Sequence, residues 1–277
     1  RTRIRNMELR NRFVRSATFD GCADETGKVS RKQIELFEEL AAGGVGLIVT
    51  GITYVHSSGQ VSPVQNSIAQ DDCIPGLKRL TTAVHERGAA IAVQLYHAGR
   101  EAAGFLDTRG KEAFGPSVVP NDPYSSSGYR AMTETEIWDT IRAFGDASAR
   151  AKEAEFDAVQ LHAAHGYLPS QFLSPHTNRR QDGWGGALEN RLRFHQHVYR
   201  NIRERVGREY PVLVKIGVED GFDGGLGFQE GRRAAQLLGE WGFDALEVSQ
   251  GLRGRRYEGT EFRTGIDRIE CEAYFGD

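Results

Sequence analysis

Residues 211–218 read "PVLVKIGV" and set Lys215 in the middle of an otherwise apolar run. The run is short and rich in Val, Leu and Ile, as expected of a buried parallel strand. Side chains alternate across a strand with period two. Val212, Val214 and Ile216 therefore form one row, and Leu213, Lys215 and Gly217 the other. A lysine in such a row is costly to bury unless something negative receives it. Two partners meet that need: an interior carboxylate such as Glu247, giving a structural ion pair, or an anionic ligand.

Other segments repeat the alternation. In "AAIAVQLYH" (89–97), Ile91, Val93 and Leu95 oppose Ala90, Ala92 and Gln94. In "FDAVQLH" (156–162), Val159 and Leu161 oppose Ala158, Gln160 and His162. Each segment offers an apolar row to surrounding helices. The other row is small or polar and becomes polar toward the C-terminal end. In a closed parallel barrel, Gln94, His162 and Lys215 would then converge on the C-terminal mouth, where active sites of that architecture sit.

The rest of the chain fits this plan. "NRFVRSA" (11–17), "GVGLIVTG" (44–51) and "FDALEVSQ" (243–250) complete a set of six candidate strands. Helical stretches lie between them. One opens with Ser30 and Gln33 in capping-box spacing and stops at Gly43-Gly44; a second opens with Thr133 and Glu136 in the same spacing. A third, "ENRLRFHQHVYRNIRERVG", ends at Gly207 with Leu192, His195, Tyr199, Ile202 and Val206 on one stripe. Strand–helix alternation implies a parallel sheet. An open doubly wound sheet would announce itself with GxGxxG after its first strand, whereas here that strand runs into "SATFDG". The expected fold is therefore an α/β (β/α)8 TIM barrel, read as one domain over 1–277. "REAAGFLDTRGKEAFGPSVVPNDPYSSSGYRAM" (100–132) is too long for an ordinary connection and reads as a lid or hairpin over a site. The chain reaches "ECEAYFGD" before any seventh or eighth strand, so strands seven and eight are expected to be missing from it.

Composition narrows the function classes. The 277 residues carry 35 Lys+Arg against 38 Asp+Glu, a net charge of −3, so nothing favours nucleic acid or an anionic membrane as partner. Apolar runs such as "VGLIVTGI" are too short to span a bilayer. Cys22, Cys73 and Cys271 are odd in number and far apart, against a disulfide framework. The plain expectation is a cytoplasmic enzyme, with its natural start upstream of Arg1.

"QLHAAHGYLPSQF" (160–172) places His162 three residues before His165, with Tyr167 two further on. HxxH after a strand permits metal ligation, and a barrel with a lysine also fits a metal-dependent hydrolase using His162 and His165. That class wants His-x-His at the end of the first strand, and "RSATFD" has none. His195 and His197 lie within an amphipathic helix, on different faces. No metal site is expected on balance.

The stretch "LHAAHGYLPSQFLSPHTNRRQDGWGGALENRLRF" (161–194), with "VQLYHAGR", "YRAMTETEI" and "LRNRFVRSA", closely resembles the old yellow enzyme family. The likeness is to its bacterial NADH:flavin oxidoreductase branch, which includes the dienoyl-CoA reductases. It implies an FMN flavoprotein of ene-reductase type, with NADH or NADPH as reductant. It implies that the backbone at Ser16, Ala17, Thr18, Gly51 and Ile52 faces the flavin ring. Gln94 would bind the pyrimidine edge, and Lys215 would sit near N1 and O2. His162 and His165 would hold the carbonyl oxygen of an enone or enoyl substrate. Flavin N5 would give hydride to its β-carbon and Tyr167 would protonate its α-carbon. Phe19, Ala17, Trp184 and Ala187 depart from the family pattern, and loops expected to bind the FMN phosphate would follow strands seven and eight. A degenerate barrel that no longer binds flavin is the non-enzymatic alternative. NADH versus NADPH, and homo-oligomer versus monomer, stay open.

Overall fold

The computed structural model describes residues 2–120 and 128–252. Strands β1 (Thr2–Ile4) and β2 (Met7–Leu9) form an antiparallel hairpin. The strands that follow are β3 (Val14–Arg15), β4 (Leu47–Tyr54), β5 (Ala90–Tyr96), β6 (Ala113–Gly115), β7 (Tyr129–Ala131), β8 (Ala158–Ala163), β9 (Val212–Gly217) and β10 (Ala245–Ser249). Helices are α1 (Arg31–Ala42), α2 (Ile74–Glu86), α3 (Ala103–Asp107), α4 (Glu134–Glu153), α5 (Leu168–Leu173), α6 (Leu188–Arg191), α7 (Arg193–Val206) and α8 (Phe228–Trp241).

Six strands form one parallel sheet in the order β10-β9-β8-β5-β4-β3. These are the six candidate segments of the sequence, and the fold is that of an α/β (β/α)8 barrel. The expectation about strands seven and eight, and the segment "ECEAYFGD", lie outside the described residues.

The period-two rows divide as expected. Ile91, Val93, Leu95, Val159, Leu161, Val212, Val214 and Ile216 join the large core between sheet and helices. Leu47, Val49, Ala90, Ala92, Ala158 and Leu213 form a separate inner core. Met7 and Leu9 of the N-terminal hairpin pack against this inner cluster, a plug that six-residue periodicity could not disclose. Small alanines in the inward row leave room for it, because barrel interiors are filled by side chains.

Local chemistry fixes the helices. Ser30 accepts the Gln33 N–H at the start of α1. Thr133 and Glu136 form a complete capping box at α4. Replacing Thr133 with Ala should therefore lower stability by about 1 kcal/mol, seen as a lower urea midpoint at unchanged slope. The long third helix divides at Leu192 into α6 and α7, and α7 ends at Gly207 with φ 86°. A side chain on Gly145 of α4 would collide with Asn201 of α7, so that glycine permits the close helix contact.

The insertion folds as a 3₁₀ turn, α3 and the β6–β7 pair, whose strands run parallel rather than as the antiparallel hairpin the lid reading allowed. Arg180 secures the C-terminal ends of both strands, donating to the carbonyls of Pro116 (2.9 Å) and Met132 (2.7 Å). Residues "NDPYSSS" of the expected lid lie outside the described residues.

Candidate active site

The inward polar positions of four strands meet in one hydrogen-bonded chain. Gln94 and Gln160 are register neighbours on β5 and β8. Gln94 Nε2 donates to Gln160 Oε1 at 2.8 Å, and Gln160 Nε2 donates to Glu247 Oε2 at 2.9 Å. Lys215 and Glu247 are likewise neighbours on β9 and β10. Lys215 Nζ donates to Glu247 Oε1 at 2.7 Å and to Ser16 Oγ at 3.2 Å. Ser16 Oγ in turn donates to the same carboxylate oxygen at 2.6 Å.

Of the two partners the sequence allowed for Lys215, the structure shows the interior carboxylate. The lysine side chain is only 4% exposed and its charge is answered by Glu247. Burial pushes the Glu247 carboxyl up, but Lys215, Ser16 and Gln160 outweigh it and hold the group below the usual carboxylate range. An anionic ligand is thus not required to explain the burial of this lysine.

Above this chain lies an aromatic cluster. His162 is buried at the end of β8, and its ring centroid lies 5.1 Å from that of His165 and 5.0 Å from that of Tyr167. Tyr167 is the N-cap of α5 and meets the buried Tyr96 edge-on at 4.5 Å. His165 has φ 62°, a conformation rare for a residue with a side chain. External contacts hold it: its N–H donates to the Gln250 carbonyl at 3.1 Å, and its Nε2 is 2.7 Å from Ser249 Oγ.

The remaining expected positions adjoin the mouth through β3 and β4. A β-bulge between Val49 and Ile52 breaks the register of β4, and the Thr50 hydroxyl left there accepts the Gln94 N–H at 3.1 Å. A Cβ on Gly51 would lie 2.8 Å from the Thr18 carbonyl, so the Ser16–Thr18 segment crosses β4 at a distance only glycine allows. Ala17 packs at the edge of the inner core, and Ile52 packs against the cluster containing Tyr96 and Tyr167. Thr18 is exposed, its hydroxyl donating to the Ser16 carbonyl at 3.2 Å.

Ser16, Gly51, Gln94, His162 and Lys215 are therefore gathered at one end of the sheet. Ser249 and Tyr96 were not singled out from sequence. Ser249 follows Glu247 on the inward row, so the same period of two contained that signal. His195 is enclosed in the core, where burial holds its imidazole at a pKa of about 3. His197 packs on Trp138 at 4.6 Å. The two belong to different surroundings, as their spacing predicted.

The amides, the lysine–carboxylate pair and the histidine–tyrosine cluster thus lie at one end of the parallel sheet, the position at which small-molecule sites occur in this architecture. The profile of the NADH:flavin oxidoreductase / NADH oxidase family matches residues 2–255, and the chain belongs to that family. It is 39% identical over 251 residues to an NADH oxidase of Thermoanaerobacter brockii, covering 90% of this chain and 38% of that protein. It is 37% identical over 249 residues to an NADPH dehydrogenase of Geobacillus sp. (strain WCH70), covering 90% of this chain and 71% of that one. Among solved structures, a 2-naphthoyl-CoA reductase in complex with 2-naphthoyl-CoA superposes with a TM-score of 0.86 at 31% identity, over 91% of this chain and 40% of that one. An old yellow enzyme homologue from Zymomonas mobilis gives 0.78 at 26% identity, over 90% and 72%. The chain thus spans about two fifths of the longer relatives. No helix among the described residues is long and apolar enough to cross a membrane.

Proposed function

We propose that this chain is the barrel of an FMN-dependent NAD(P)H oxidoreductase that reduces the C=C bond of α,β-unsaturated carbonyl compounds. The observation that carries the reading is the meeting of His162, His165 and Tyr167 above the polar chain that ends in Gln94 and Lys215. When bound, FMN supplies hydride chemistry that no side chain provides.

The donor set fits such a ring. Lys215 directs donors to Glu247 and Ser16, and an ammonium has a third. Gln94 offers an amide, and the bare Gly51 lets the Ser16–Thr18 backbone lie close against Gly51 at this end of the sheet. These residues would hold the flavin, with Lys215 at its electron-rich edge.

The substrate half follows from the cluster. Nε2 of His165 lies 2.7 Å from the Ser249 hydroxyl; the tautomer that accepts there would carry its proton on Nδ1 and offer that nitrogen as a donor. His162 and His165 together would polarise a carbonyl oxygen, as an oxyanion hole does. Tyr167, whose ring meets those of His162 and Tyr96, would deliver the proton as general acid. The match to a reductase holding an aromatic acyl thioester supports a conjugated thioester or enone as substrate class.

Absorbance tests the reading. Purified protein should show the two visible bands of oxidised flavin, bleach anaerobically with NADH or NADPH, and recover on addition of an enone or enoyl thioester. A colourless protein that takes up no added FMN would overturn it and favour the degenerate barrel.

A further inference from the structure

Outside the histidine–tyrosine cluster lies a carboxylate with no solvent exposure, Asp220, in the loop after β9. Its oxygens are shared among three donors, two of them, Ser174 and Leu252, remote in sequence. Oδ2 accepts from Ser174 Oγ and from the Leu226 N–H, each at 2.6 Å. Oδ1 accepts from the Leu252 N–H, also at 2.6 Å. The loops are shaped around it: a side chain on Gly251 would collide with Oδ1, and a Cβ on Gly225 would lie 2.6 Å from the Asp220 Cβ. A buried carboxylate is tolerated only with such a full set of donors.

Two of these segments lead directly to the cluster. Ser174 is the C-cap of α5, and Tyr167 is the N-cap of that same short helix. Leu252 follows Ser249 and Gln250, which hold the His165 ring and amide. The adjoining Gly251 N–H donates to the Glu219 carbonyl at 2.7 Å, tying this loop again to the segment that carries Asp220. His165 occupies a left-handed conformation, which persists only where surrounding structure enforces it.

We propose that Asp220 is the positioning residue of this site: by joining the C-terminal end of α5 to the loop after β10, it sets the placement of Tyr167 relative to His165. It acts on the cluster through Ser174 and Leu252. The role rests on the reading of Tyr167 as acid and His165 as carbonyl donor.

The test uses Asp220→Asn in the full chain. The carboxamide keeps the shape but turns one acceptor into a donor, so at least one of the three ties becomes a donor–donor contact. Amide hydrogen exchange at His165 and Leu252 should rise at least tenfold, with α4 and α7 unchanged. In flavin-loaded protein, alkene reduction should slow about tenfold or more while flavin reduction by NAD(P)H stays within twofold. The idea fails if Leu226 and Leu252 exchange faster but His165 does not, or if both half-reactions fall equally. Exchange needs neither flavin nor substrate. Faster exchange at His165 in a chain whose parent reduces no alkene would therefore support the positioning role and sink the reaction assignment. Should Asp220→Asn fail to fold, Ser174→Ala removes one of the three ties, together with the acceptor of the His176 N–H. It should slow alkene reduction at least threefold at unchanged flavin reduction, and no change, or an equal loss in both steps, would overturn the proposal.

Discussion

On the proposed reading, replacing Tyr167 with phenylalanine should slow alkene reduction by about 10²–10⁴-fold, the usual contribution of a positioned general acid, and should leave flavin reduction by NADH or NADPH within about a factor of two. The variant removes one oxygen and keeps the ring. The edge contact with Tyr96 at 4.5 Å and the contact with His162 at 5.0 Å are ring contacts, so they survive. Packing of α5 through its buried Leu168, Phe172 and Leu173 is untouched. A loss confined to the step that consumes a proton therefore reports the hydroxyl and not the fold. Anaerobic stopped-flow measurement of the two half-reactions separates these cases. Equal slowing of both would sink the proton-donor assignment. A drop only in apparent substrate affinity would make Tyr167 a binding group.

The sequence carried the barrel because strand rows have period two and helix ends carry readable caps. Alternation alone places Gln94, His162 and Lys215 at one mouth, and the inner and outer clusters follow those rows. The partner of Lys215 was harder. Periodicity put Glu247 on the inward face, but only the β9–β10 register makes the two residues neighbours. Short elements were illegible for a related reason. Three-residue strands such as β6 and β7 span too few positions for a period, so their parallel pairing could not be read. Asp220 was hidden more deeply. Two of its three ligands are backbone N–H groups, at Leu226 and Leu252, and the backbone carries no residue code.

The Lys215–Glu247 pair carries the largest expected effect on stability. Glu247→Gln leaves the lysine charge inside the barrel without its counter-ion, and breaking a buried pair costs about 3–5 kcal/mol. Glu247 is 28% exposed, so the lower end, about 3 kcal/mol, is the expected loss. That corresponds to a fall of roughly 6–12 °C in Tm for a domain of this size. Adding Lys215→Met should recover most of it, because it removes the buried charge that the first substitution left without a counter-ion. The recovery separates an uncompensated charge from a general packing defect, which a second substitution would worsen. pH supplies an independent check. The Glu247 carboxyl is held below its ordinary value in the folded chain. Its contribution is then fully present above the unfolded carboxylate pKa of about 4.3 and is lost as pH falls through the folded value. The stability gap between wild type and Glu247→Gln should narrow on acidification over that interval and stay flat from pH 6 to 8. A gap that widened toward acid would mean that Glu247 is protonated in the folded barrel and that Lys215 is neutralised in some other way.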